Sequence, residues 1–533
     1  MVGMDMGKPG GLPALPPAST KAKLVGISMA LFAAFGGYLY GYDTGYISGT
    51  KEMPFWLRTF GEQDATGTYV LSTANDSLVT SILSIGTFVG ALLAYPFGDI
   101  LGRRWGVIAS CGIFCIGVAL QTASTTIPVF AVGRVFAGLG VGLTSCLVPM
   151  YQSECAPKWI RGAVVAAYQW AITIGLLIAA VVVKATKNRP DASCYRIPIA
   201  LQFVWAFILS LGLYCLPESP KFLILKGREV EAKASLSRLL SLPADSEQVT
   251  REYDEVVDSL EIERTLGSGS YADCFKSGQG RYLLRTLSGM GIQALQQLTG
   301  INFIIYYGTS FFKNSGVDDP FTTTVIIDVV NVVMTIPGIW AVDKFGRRST
   351  LMFGAALMAI CQFIIPILGL TIPASNLAGQ RALIALVCIY IGGFASTWGP
   401  IAWVVTSEIY PLAIRAKAMS LSTASNWALN FAIGYMTPYL VDVGPGKAGL
   451  GSNVFWIWGG FCAICFVFTF FFIPETKGLS LEQVDELYQH SSIIGSNKYR
   501  QKILTDEANR TEGVVDEIRN DSFKDKENHT IHH

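Results

Sequence analysis

Charge is scarce in this chain. Asp, Glu, Lys and Arg make up only 15% of its 533 residues against 51% hydrophobic, and the formal net charge is +1. So apolar a composition excludes an ordinary soluble enzyme, and so even a balance offers nucleic acid no basic face. Histidine is rarer still. The four present, His490, His529, His532 and His533, all fall near the C-terminus, which takes imidazole out of any intramembrane proton relay. The eleven cysteines are odd in number, lack framework spacing and lie mostly in apolar runs (Cys111, Cys115, Cys146, Cys361, Cys388), so they read as small hydrophobes. Cys462 and Cys465 form a CxxC inside FCAICFVF, where helix packing outweighs redox or zinc chemistry. Neither a metal nor a cofactor is expected. A Walker A sequence and a histidine–nucleophile constellation are missing too, which argues against ATP coupling and against an enzyme. The Gly-, Pro- and Ala-rich start lacks the regions of a signal peptide and reads as a short disordered cytosolic tail.

What the chain has instead is apolar length. About twelve stretches reach the ~20 residues that cross a bilayer. They fall near 24–49, 76–100, 105–125, 128–150, 162–183 and 197–216 and, after a polar interval, near 282–312, 321–342, 350–370, 381–407, 417–440 and 453–473. The expected fold is an all-α membrane protein, its solvent the lipid bilayer, with six helices in residues 24–217 and six in 282–477. Residues 218–281 carry Lys, Arg, Glu and Leu at helical spacing, which predicts a few short amphipathic helices under the membrane part. The tails are 1–23 and 478–533, the latter charged and expected to be mostly disordered. Basic residues at 103–104, Lys158 and Arg161, Lys221, Lys344 with Arg347 and Arg348, and Arg415 with Lys417 share one side. The positive-inside rule makes that side, and both termini, cytoplasmic. The loop with Lys184, Lys187, Arg189 and Arg196 runs against this assignment.

One stretch, QALQQLTGINFIIYYGTSFF from Gln293 to Phe312, interrupts an apolar helix with amides and a glycine. An amide without a partner costs several kcal/mol in hydrocarbon, so Gln296, Gln297 and Asn302 must face protein or a water-filled cavity. A cavity offering amide donors and acceptors without charge suits a neutral, hydroxyl-rich solute; the alternative is amides joining membrane helices.

An internal repeat favours the cavity. Asp99-x-x-Gly102-Arg103-Arg104 recurs as Asp343-x-x-Gly346-Arg347-Arg348, Glu154-x-x-Pro157-x-x-x-Arg161 as Glu408-x-x-Pro411-x-x-x-Arg415, and Pro217-Glu218-Ser219 as Pro474-Glu475-Thr476. Duplicated six-span halves imply a transporter with its solute site at the midplane between them. In the order GGYLYGYDTG, GDILGRR, GRVFAGLGVG, YQSECAPKWIRG, PESPKFL, QQLTGIN, DKFGRR, GPIAWVV and PETKG, the chain resembles the sugar porters of the major facilitator superfamily, most closely fungal hexose transporters. The resemblance covers roughly residues 25 to 480. It implies a plasma-membrane carrier, monomeric as a functional unit, that moves a monosaccharide by alternating access.

The resemblance gives sugar-binding roles to Gln169, Gln296, Gln297, Asn302, Asn331, Trp403 and Asn426. The chemistry agrees, since amides meet vicinal hydroxyls as donor and acceptor and an indole offers a flat face to a pyranose. Tyr306 and Tyr307 look like an outer gate. Asp99, Arg103, Arg104, Glu154, Arg161, Glu218, Asp343, Arg347, Arg348, Glu408, Arg415 and Glu475 can form a cytoplasmic latch of guanidinium forks on carboxylates. It is similar to the network that holds the halves together when the cavity opens outward. Where animal facilitators have an acid before GPxxW, this chain has Phe394-Ala395.

Two intramembrane acids stand out. Asp43 in the first span is expensive there and finds a natural partner in Arg134 of the fourth, either as a proton switch that couples protons to uptake or as a permanent ion pair. The resemblance does not choose between symport and facilitated diffusion. Asp328, three residues before Asn331, is outside the family pattern and is expected to be solvated near the end of its helix. A transport-inactive glucose sensor on the same fold is a further alternative; the tail of about 55 residues beyond PETKG favours transport.

Overall fold

Lipid offers the backbone no hydrogen-bond partner, so apolar runs of this length close their bonds within helices. The computed structural model describes residues 20–64, 67–155, 161–266, 270–278, 280–371, 376–411, 413–479 and 481–506. The first half consists of Thr20–Thr50, Thr73–Leu101, Arg103–Ala123, Ile127–Cys155, Arg161–Thr186 and Ser193–Cys215. The second repeats it with Tyr282–Leu298 continued by Ile301–Asn314, Pro320–Phe345, Arg347–Thr371, Leu377–Ser396 continued by Trp398–Glu408, Arg415–Val441 and Val454–Phe472. Nine helices among the described residues are long and apolar enough to span by those criteria alone. The first, seventh and eleventh spans are not among them. The seventh is divided between two short helices, and the eleventh carries Ser422, Asn426 and Asn430, all buried.

Close crossings depend on small residues. Gly86 and Gly90 on the second span meet Gly138 and Gly142 on the fourth, and a Cβ at any of the four would lie 2.2–2.4 Å from a backbone oxygen of the other helix. Between the halves, the second span packs on the eleventh, the fifth on the eighth and the first on Ile301–Asn314.

The polar interval is helical as expected: Pro220–Leu225, Glu229–Leu240, Glu247–Leu266 and a 3-10 turn at Tyr271–Phe275. Phe222, Leu223 and Ala232 form a small core of their own there. The expectation of a mostly disordered tail beyond Gly478 is corrected for its first part. Leu481–His490 is an α-helix, and residues 496–506 are helical as well. Val484, Leu487 and Tyr488 recur on one face and are buried, and Asp485 pairs with the buried Arg285 of the seventh span. That apolar stripe is too short to stand out amid the surrounding charge. Residues 507–533, with His529, His532 and His533, lie outside the described residues.

Candidate functional site

The seventh and tenth spans both break beside the amides. Gly300 adopts φ +85°, and a Cβ there would lie 2.7 Å from the Trp458 ring, so the position excludes any side chain. The break frees the Thr299 carbonyl, which accepts from Gln362 Nε2 at 2.7 Å and Tyr390 Oη at 3.0 Å. In the tenth span Pro400 has no N–H to give to the Ser396 carbonyl four residues earlier, and the helix interrupts at Thr397. Gln296 Nε2 donates to the Trp398 and Gly399 carbonyls just beyond, 2.9 Å each.

Around these breaks the amides form one network. Gln297 Nε2 donates to Asn426 Oδ1 at 2.9 Å, and Asn426 Nδ2 donates to Gln293 Oε1 at 2.7 Å and Gln296 Oε1 at 2.9 Å. Gln297 Oε1 accepts from Asn302 Nδ2 and, at 3.3 Å, from Asn430 Nδ2. Asn430 Oδ1 accepts from Tyr306 Oη at 3.0 Å and from Ser84 Oγ of the other half at 2.7 Å. Thus Gln296, Gln297, Asn302 and Asn426 come together, with Tyr306 bonded into their cluster. Asn331 is buried on the adjoining eighth span, while Gln169 and Trp403 are half-buried on the fifth and tenth. Gln293, Asn430 and Ser84 were missed by sequence reasoning. Spacing held the signal for two of them, since Gln293 precedes Gln296 by three and Asn430 follows Asn426 by four, one helix face in each case.

At the end of the bundle beyond Tyr307 the halves are fastened to each other. Lys313 Nζ lies 2.7 Å from Glu52, Ser310 Oγ donates to Glu52 at 2.5 Å, and Lys187 pairs with Asp319 at 3.1 Å. Thr73 Oγ1 donates to Asp442 at 2.8 Å, and Lys51, held by Asp76 at 2.7 Å, sits over the Tyr307 ring. Tyr307 Oη itself donates to the Gly434 carbonyl at 2.6 Å. Burial opposes ionisation of Glu52, but Lys313 and Ser310 outweigh it and hold the carboxyl below its usual range. Burial is likewise outweighed at Asp319, where Thr322 and Lys187 hold the carboxyl down to about 2.

At the opposite end the described ion pairs stay inside each half. Arg103 grips Glu154 with Nε at 3.0 Å and Nη2 at 3.1 Å, and Arg347 grips Glu408 with Nε at 3.1 Å and Nη2 at 2.8 Å. Arg103 also reaches Asp99 at 3.4 Å. Glu218 and Glu475 do something different from pairing with guanidinium groups. Glu218 accepts the backbone N–H of Arg103 (3.1 Å) and Arg104 (3.0 Å), and Glu475 those of Arg347 (2.9 Å) and Arg348 (3.1 Å). Each carboxylate thus occupies a helix N-terminus, where the dipole favours an anion. The Arg104 and Arg348 side chains donate to the Tyr214 and Phe470 carbonyls. Arg415 donates to the Ser407 carbonyl at 2.9 Å. The side chains of Arg161 and Asp343 lie outside the described residues.

Asp43 and Arg134 are both fully buried, with Arg134 Nη1 3.8 Å from Asp43 Oδ2. Arg134 gives its shorter bonds elsewhere, 3.1 Å to Tyr46 Oη and 3.2 Å to the Val79 carbonyl; it reaches the Asp43 backbone carbonyl at 3.5 Å, and neither Asp43 carboxyl oxygen accepts a hydrogen bond among the described residues. The pair is close but loosely made. Asp328 corrects the expectation of a solvated acid: it is 8% exposed, because its helix turns that face toward the other half rather than toward water.

Residues 29–488 match the sequence profile of the family described as Sugar (and other) transporter, and the chain belongs to that family. It is a sugar transporter with the major facilitator fold, not an enzyme. It is 53% identical over 468 residues to the major facilitator-type transporter ecdD of Aspergillus rugulosus, covering 86% of each chain. It is 47% identical over 470 residues to the probable glucose transporter rco-3 of Neurospora crassa, covering 87% of this chain and 79% of that one. Among solved structures it is similar to the proton:xylose symporter XylE of E. coli bound to 6-bromo-6-deoxy-D-glucose. The TM-score is 0.71 at 28% identity, over 88% of this chain and all of that one.

Proposed function

We propose that the protein carries a hexose, glucose foremost, across the plasma membrane by alternating access, with proton coupling through Asp43 and Arg134. The observation that carries this reading is the amide network of Gln293, Gln296, Gln297, Asn302, Asn426 and Asn430, which lies between two broken spans and reaches Ser84 of the other half. Sugar hydroxyls replace amide partners there, while Gln169, Asn331 and Trp403 complete the site from neighbouring helices. The likeness to a probable glucose transporter supports the substrate class, and the likeness to a proton:xylose symporter supports coupling. The end with Glu52–Lys313 and Lys187–Asp319 is extracellular in this reading and is closed by Tyr307 beneath Lys51. The end with the two Arg–Glu forks is cytoplasmic, as are both termini, and its residues form the latch that joins the halves in the outward-open state. The unit of function is one chain: an N-terminal half, 24–217, and a C-terminal half, 282–477, joined by a cytoplasmic linker, 218–281.

Uptake of labelled glucose, fructose and xylose, measured in yeast without hexose transport of its own, tests substrate and direction together. Sugar-induced alkalinisation of the medium and accumulation of a non-metabolised sugar test coupling. Uptake with neither leaves the Asp43–Arg134 pair a permanent structural one; absence of hexose uptake in surface-expressed protein refutes the substrate assignment.

A further inference from the structure

The eighth span carries a polar stripe that the sugar site does not use up. Thr324, Asp328, Asn331 and Thr335 follow one another at three- and four-residue steps on a single face, and Asp328, Asn331 and Thr335 are all buried. Thr324 Oγ1 shares a hydrogen bond with Thr309 Oγ1 at 3.1 Å, and Thr309 in turn bonds Ser48 of the first span at 3.1 Å. The stripe therefore runs from the seam between the halves at the closed end down to Asn331.

Asp328 lies on that seam in a small pocket. Gly45 and Leu176 of the first half close it, facing Ile301, Ile304 and Ile391 of the second. Every other group lining the pocket is apolar, a glycine, Thr324 or Asn331, so among the described residues no basic or second acidic side chain lines it from the first, fifth, seventh or tenth span or from the eighth itself. Among the described residues Asp328 has no salt bridge, and no hydrogen bond to its carboxyl is found. Asp43, two residues before Gly45, faces Arg134 instead. An ionised carboxylate held without a counter-charge in a narrow, largely apolar pocket is expensive; a neutral carboxylic acid is tolerated.

We propose that Asp328 is a second proton-binding site, separate from the Asp43–Arg134 pair, at which closure of the outer end takes up one proton. With the halves apart on that side, Gly45 and Leu176 move off the pocket and the carboxylate is hydrated and ionised. Closure brings the apolar cover back, and a proton from the outer solution converts the carboxylate to the acid. The same proton returns to the outer solution when that end reopens, so atoms and charge balance over a cycle and the number of protons carried per sugar does not change. The linkage has a definite sign. A solvated aspartate titrates near ~4, so above that range each unit of rising pH disfavours closure by up to about tenfold. The cross-half pairs Glu52–Lys313 and Lys187–Asp319 do not supply this trend, because their carboxyls are held below the usual range and stay ionised as pH rises.

The proposal rests on the reading of the Glu52–Lys313 end as the extracellular gate, and its test is separable from that reading. Hydrogen exchange of full-length protein in nanodiscs, corrected for intrinsic rates, reports closure through segments 48–60 and 305–325 without any gradient. In the Asp43→Asn background, which removes the pair's own titration, protection in these segments falls by several-fold per unit from pH 5 to 7.5, and adding Asp328→Asn holds it constant. Should Asp328→Asn not survive purification, Asp328→Ser, also uncharged and smaller, serves in its place. Protection in the double variant that falls with pH as it does in Asp43→Asn overturns the proposal, as does pH-independent protection in Asp43→Asn itself. Sugar accumulation keeps the two readings apart: with Asp43 intact, Asp328→Asn accumulates sugar with wild-type stoichiometry, and a changed stoichiometry also counts against the scheme.

Discussion

Gln297→Ala removes the side chain on which most of the amide network converges. Gln297 donates to Asn426 Oδ1 at 2.9 Å and accepts from both Asn302 and Asn430. Truncation leaves one acceptor and two donors with a lost partner in a region where these amides are 1–8% exposed. Leaving a buried polar group unsatisfied costs about 1–3 kcal/mol, and the three losses are coupled through one network, so they do not add. A sugar bound at this site loses the same partner. The orphaned amides burden free and loaded protein alike, so the effect on affinity is that of the sugar hydroxyl left without this partner, about 1–3 kcal/mol, or about 5- to 150-fold. Gln297→Glu tests the chemistry further, because a carboxylate keeps both acceptor positions and loses the donor to Asn426. The assay is initial-rate uptake of labelled hexose over a wide concentration range, normalised to surface protein, with equilibrium binding to purified protein alongside. An apparent KM within twofold of wild type for Gln297→Ala, in protein that reaches the surface, refutes the site. A loss confined to maximal rate with binding unchanged refutes it as well, because the residue would then act on the conformational step.

Further outcomes follow from other features. Asp43→Asn is expected to keep sugar exchange and lose accumulation, measured with a non-metabolised sugar under an imposed pH gradient; retained accumulation excludes the pair from coupling. Gly346→Ala is expected to lower stability by about 1–3 kcal/mol for its backbone alone, which at φ +89° and ψ 172° is open essentially to glycine only, with a Cβ 2.5 Å from Glu475 Oε2 adding to it. A thermal melt monitored by size-exclusion chromatography checks this, and an unchanged melting point contradicts it. Lys187→Ala is expected to loosen the Glu52–Lys313 end slightly, within the ~0–1 kcal/mol of an exposed pair. With its carboxyl held at about 2, Asp319 is ionised throughout the working range, so the pair's contribution is fully present above the usual aspartate range and fades only as pH falls toward 2. Hydrogen exchange of this variant at that end should match its parent's pH trend between pH 5 and 7.5.

The sequence was readable wherever a physical rule acts locally. Apolar length announced the spans, and the duplicated Gly-Arg-Arg and Glu-x-x-Pro motifs announced two equivalent halves, which the paired forks Arg103–Glu154 and Arg347–Glu408 bear out. It was less readable where partners come from distant helices. Glu218 and Glu475 looked like counter-ions for guanidinium groups, yet they accept backbone N–H bonds at helix starts, a role that depends on where the chain returns and not on charge pattern. Spacing puts Asn430 on the face of Asn426, but its bond from Ser84, 346 positions away in the other half, has no signal in the sequence. Asp328 looked solvated because nothing in its own helix reveals the Gly45 and Leu176 cover that the other half supplies. The helix at Leu481–His490 hid in a charged tail, since three apolar positions suffice once Arg285 and Tyr488 stack across it at 4.2 Å.

The amide network has a consequence for speed. Because Gln293, Gln296, Gln297, Asn302, Asn426 and Asn430 already satisfy one another, a hydroxyl arriving at this proposed sugar site would swap partners with them and add few bonds overall. Such a swap is nearly neutral in energy and strict in geometry, so it selects by shape while holding the solute only briefly. A carrier benefits from that combination: a grip strong enough to rival an inhibitor's would leave the sugar resident long after the far side had opened.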